Sequence, residues 1–125
     1  MMRRYVLGLL IGLLGCVFVA HGQEATERFI PIGQSPGLSG RYTSIGQIQS
    51  VDSRSRTLTV VADGRTYSVG VTERTRIWID RSPFKLTALT GTVEDLQPGR
   101  KVEVKYEDEG ERRFADWIKV QPAVP

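Results

Sequence analysis

The sequence predicts an all-β fold, a small barrel of five or six short strands with one helical turn before the penultimate strand. Three observations predict it. From residue 41 onward, short runs of alternating apolar and polar residues recur, each bounded by Gly, Pro, Asp or Ser. One pair of runs folds back on itself at an Asp-Gly dipeptide. Nowhere in this region do apolar residues take the spacing of a long amphipathic helix.

The first strand is "SIGQIQSVD" (44–52), where the uneven spacing of Ile45, Ile48 and Val51 predicts a bulge near Gly46. "SRTLTVVADGRTYSVGV" (55–71) is a hairpin, because Asp63-Gly64 suits a two-residue type I′ turn with positive φ at both central positions. That turn sets Val60 opposite Tyr67 and Leu58 opposite Val69, so these four share one face. Thr57, Thr59, Ser68 and Gly70 share the other. "TRIWID" (75–80) is a further strand with Ile77 and Ile79 on one face and Trp78 on the opposite one. In the connection "RSPFKLTALTG" (81–91), Phe84, Leu86 and Leu89 are expected to plug one barrel end. "TVEDLQPG" (92–99) reads as a helical turn capped by Thr92, with Val93 and Leu96 inward. "KVEVKYE" (101–107) alternates with Val102, Val104 and Tyr106 on one face, and "RRFADWIKV" (112–120) closes the series. In the last strand a bulge at Asp116 would turn Ala115, Ile118 and Val120 inward and Trp117 to the rim; a plain core role for Trp117 is the alternative. This succession is that of an OB-like barrel spanning 41–121, with 122–125 as a tail.

The N-terminal end carries an address. Arg3 and Arg4 precede an uncharged apolar run, Tyr5 to Ala20, and Ala20-His21-Gly22 places small residues where a signal peptidase cuts. Residues 1–22 therefore read as a signal peptide cleaved after Gly22, with a periplasmic or secreted product and no membrane insertion afterwards. Leu13-Leu14-Gly15-Cys16 also resembles a lipobox, so a lipoprotein anchored through Cys16 is the alternative, and an uncleaved anchor helix is another. Residues 23–40, "QEATERFIPIGQSPGLSG", show neither period and read as a flexible leader, mobile at least in part. Its Phe29-Ile30-Pro31-Ile32 could dock on the barrel or on a partner.

Cleavage there removes the only Cys, the only His and both Met, leaving 103 residues with fifteen basic against fourteen acidic side chains. Disulfides, thiol chemistry, His- or Cys-based catalysis and the usual soft metal ligands all go with them. Charges so nearly balanced do not favour a dedicated polyanion binder. No cofactor and no metal are expected.

"GQIQSVDSRSRTLTV", "TRIWID", "VEDLQPGRKVEVKYEDEG" and "FADWIKV" together resemble the bacterial exported domain of unknown function 5666. The resemblance runs through Gly46, Ile48 and Asp52, then Thr57 to Thr59. It continues through Asp95, Leu96, Gly99, Val102 and Val104 to Ala115, Ile118 and Val120. It covers about 41–121 and implies fold and export, not an activity. The strand order is also similar to periplasmic copper chaperones of Cus type, but Val60 to Val71 offers Val, Ala, Tyr and Ser where those proteins place His, Met and Trp. Copper transport is therefore not expected.

The remaining polar residues form no recognisable catalytic constellation, so a non-catalytic module binding another envelope macromolecule is the expected function. The expected site is the outward face shared by the first hairpin and "TRIWID": Trp78 as anchor, with Arg65, Arg74 and Arg76 around it; cover of Trp78 by the 81–91 loop or by the leader is the alternative. An acidic protein is the expected partner and an anionic glycan the rival. Nucleic acid does not suit an exported protein. Arg54, Arg56 and Arg81 extend the basic region, and all six arginines have the alternative reading of a solvated face that guards an edge strand. Glu107-Asp108-Glu109-Gly110-Glu111 lacks the alternating spacing of a calcium loop and reads as a solvated turn. An enzyme working through carboxylates is a further alternative, though no pair can be singled out.

Overall fold

The computed structural model describes residues 26–122. Residues 1–22, read from sequence as a signal peptide cleaved after Gly22 or lipidated at Cys16, lie outside the described residues, as do 123–125.

Seven strands form one sheet: β1 (Thr43–Asp52), β2 (Thr57–Ala62), β3 (Arg65–Gly70), β4 (Arg76–Ile79), β5 (Leu89–Thr90), β6 (Lys101–Tyr106) and β7 (Ala115–Val120). The fold is all-β, with seven strands where five or six were expected. Their order is β3-β2-β1-β6-β7-β4-β5, and every pair is antiparallel except β4 with β7. This ladder is not a closed ring. At one point it meets itself, where Gly70 at the end of β3 bridges Phe114 just ahead of β7. A 3-10 turn, Val93–Asp95, precedes the penultimate strand as expected, and another spans Ser82–Phe84.

The hairpin register is the one its turn dictates. Asp63 and Gly64 both take positive φ, 53° and 72°, and Val60 lies opposite Tyr67 with Leu58 opposite Val69. The irregularity in β1 falls between Ile48 and Ser50, not at Gly46. An extra residue there leaves Ile48 and Val51 both facing the core. Gly46 is needed for another reason: β1 passes from β6 to β2 at this point, and a Cβ would come 1.8 Å from the Val61 carbonyl oxygen. In β7 the pairing with β6 slips around Asp116, so Ala115, Ile118 and Val120 all join the core while Trp117 points to the other face.

The core is aliphatic with one phenol: Leu58, Val60, Val69, Ile77, Val102, Val104, Tyr106, Ile118 and Val120 are its centre. Phe84, Leu86 and Leu89 do not plug it, being 39%, 53% and 46% exposed. Their segment runs past the core as β5 and lies along the edge of β4, while Val93 and Leu96 of the following turn pack inward.

The leader, read as mobile at least in part, is folded from Thr26 into consecutive turns. Main-chain hydrogen bonds link Phe29 to Thr26, Gln34 to Pro31, and Leu38 and Ser39 to Ser35. Ile32 and Ser35 are buried against the sheet, whereas Phe29 is half exposed.

Candidate binding cleft beneath the leader

A strand shows alternate side chains to opposite faces, so β4, β6 and β7 must present a second face behind the core. Parallel pairing of β4 with β7 sets Arg76 beside Trp117 and Trp78 beside Lys119, and antiparallel pairing sets Glu103 beside Lys119. That second face thus carries two tryptophans and several charges. The leader lies over it.

Trp78 is not the exposed anchor the sequence suggested. It is 6% exposed, and its ring centroid lies 5.7 Å from that of Trp117, itself 4% exposed. Its parity was read correctly, but the face it points to is covered. Both rings border a cleft of about 250 Å³ whose other walls are Glu27 and Leu38 of the leader with Arg76, Lys105 and Asp116 of the sheet. Asp116 is held between cations: Arg76 Nη2 lies 3.7 Å from one carboxylate oxygen and Lys105 Nζ 3.3 Å from the other. The Arg76 side chain is 42% exposed at this mouth.

The other two predicted arginines are elsewhere. Arg74 is solvent-exposed, 3.9 Å from Glu107 of the acidic loop. Arg65 stands exposed beside the hairpin turn on β3, with four strands between it and β4 in the ladder. The first hairpin and "TRIWID" do not share a face, because β4 leaves β3 and pairs in parallel with β7. Of the four residues, the structure brings together Trp78 and Arg76 only.

What the sequence did not flag is a row of buried charges under the leader. Lys119, 1% exposed, donates to the Glu27 carboxylate and the Ile30 carbonyl, both at 2.8 Å, and its ammonium stands 4.7 Å from the Trp117 ring centre. Ser35 donates to the same Glu27 carboxylate. Glu103, fully buried, accepts from the Gly33 N–H at 3.0 Å and the Thr43 hydroxyl at 2.7 Å. Asp80 accepts the Ile32 N–H at 3.0 Å and the Ser82 N–H at 2.9 Å. Burial pushes the Asp80 carboxyl upward, but the hydrogen bonds from Ile32, Ser82 and Gln121 outweigh it and carry its pKa below the ordinary value. In sequence, Glu103 and Lys119 sit at polar positions of alternating strands and look like solvent-facing residues; only the apolar "FIPI" of the leader hinted at a cover.

Compared with family models, curated proteins and solved structures, the chain matches none.

Proposed function

We propose that this chain is an exported, non-catalytic OB-like module that binds an acidic protein partner through the Trp78–Trp117 cleft. The observation that carries this reading is the cleft itself, where paired aromatic rings adjoin the Arg76 and Lys105 cations. Aromatic walls supply desolvation energy, and cations at the rim steer and orient a carboxylate. A cleft of about 250 Å³ suits one or two side chains of a partner more than a whole substrate. Its two carboxylates, Glu27 and Asp116, both lie in salt bridges, which supports a binding role over acid–base work. The bridge between Gly70 and Phe114 supports the barrel-like curl, and the charged start of residues 1–22 supports export.

Trp78 and Trp117 are the protein's only tryptophans, so selectively excited tryptophan fluorescence reports on this cleft. Titration with polyglutamate should change that fluorescence with a salt-sensitive affinity. The double variant Arg76→Glu, Lys105→Glu should bind about tenfold more weakly or worse. Equal affinity in wild type and variant would contradict the reading.

A further inference from the structure

We infer that the leader is an internal ligand, and that the partner's acidic polypeptide segment binds by displacing it from the β4–β7–β6 face. This rests on the reading of the cleft as a binding site and specifies what must enter it.

The contacts under the leader are those of peptide recognition. Lys119 takes a carboxylate and a main-chain carbonyl from one short stretch, Glu27 and Ile30. Two buried carboxylates, Asp80 and Glu103, then take the successive N–H groups of Ile32 and Gly33. Alternating demand for an anion, a carbonyl and two adjacent amide donors is met by a polypeptide turn. A polyuronate has no amide donors, so it would bring carboxylates near Asp80 and Glu103 without the two N–H groups that those carboxylates accept from the main chain.

The same contacts make the cover releasable. Lys119, Glu103 and Asp80 are charged, so each regains water when the leader lifts, and the desolvation cost of the closed state is returned. Apolar attachment is limited: Ile32 is buried and Leu38 walls the tryptophan cleft, but Ile30 and Pro31 are only half-buried and Phe29 is half exposed. Interfaces of this polar kind separate within a folded chain far more readily than apolar ones. Glu27 and Leu38 also wall the tryptophan cleft, so lifting the leader opens the cleft.

The test uses the full chain and a fluorescently labelled peptide of residues 26–39, "TERFIPIGQSPGLS". In wild type the tethered leader competes at high effective concentration and suppresses binding of the added peptide. Glu27→Gln in the full chain weakens only the tethered competitor, so the peptide should bind this variant about tenfold more tightly than wild type. Adding Lys119→Met should abolish that binding, with a cooperative melt showing that the sheet is still folded. No peptide binding to folded Glu27→Gln at up to about a millimolar, the range of a tethered competitor, would overturn the inference. So would equal binding to both chains. An oligogalacturonate that binds Glu27→Gln while the peptide does not would overturn the polypeptide occupant and leave the acidic-ligand reading of the cleft standing. Loss of polyglutamate binding in the Arg76, Lys105 variant is read separately, so the two claims fail independently.

Discussion

Strands β6 and β7 show two unlike faces of one ladder. On one face Val102, Val104, Ile118 and Val120 are fully buried among aliphatic neighbours. On the other, Glu103 and Lys119 are as deeply buried, but against the leader's main chain and Glu27. Equal burial here means different things. Exposing the aliphatic face costs hydrophobic free energy with nothing returned. Exposing the charged face restores hydration to groups whose desolvation was only offset by their partners. The first face therefore holds the fold, and the second holds a removable cover.

Breaking each face in turn should separate these roles. Ile118→Ala removes fully buried aliphatic volume and should lower unfolding free energy by about 2–5 kcal/mol in a denaturant titration. Its neighbour Lys119→Met should cost less, about 1–2 kcal/mol, because the leader can lift and leave Glu27 to water. A Lys119→Met cost as large as that of Ile118→Ala would show that leader and sheet unfold together.

Acid offers a smaller and graded perturbation. The folded Asp80 pKa lies below the ordinary 3.8, so its stabilising contribution is complete above that value and disappears as pH falls through the lower, folded one. Acrylamide quenching of the two tryptophans should therefore rise in that acid range before the sheet melts. Asp80→Asn should show raised quenching already at neutral pH and less change on acidification through Asp80. An identical acid profile in wild type and variant would remove Asp80 from the leader's attachment.

Much of the sheet was legible because local chemistry dictated it. Asp63-Gly64 admits few turns, and the turn type sets the whole Leu58/Val69 register. In β7 the spacing of Ala115, Ile118 and Val120 required an extra residue, and the slip falls at Asp116. What was not legible depends on distant chain. Nothing near Trp78 says that β4 pairs in parallel with β7, yet that pairing separates it from Arg65 and lays it against Trp117. Glu103 and Lys119 likewise occupy positions that alternation assigns to solvent, and a segment some 70 to 92 residues earlier in the chain buries them. Phe84, Leu86 and Leu89 misled for the converse reason: apolar residues in a loop look like a plug, but the turn after them supplied Val93 and Leu96 first.

The central claim, that the leader opens while the sheet stays folded, is tested most directly by native-state amide hydrogen exchange on the full chain. The Ile32 and Gly33 amides, which donate to Asp80 and Glu103, should exchange about a hundredfold or more faster than the ladder amides of Val104 and Ile118. Their rates should also depend less steeply on low denaturant than those of the ladder amides, since leader opening uncovers the two tryptophans and Ile32 but not the aliphatic core. Exchange of Ile32 and Gly33 at the rate of Val104 and Ile118, with the same denaturant dependence, would mean that the leader leaves only in global unfolding, and would contradict the account.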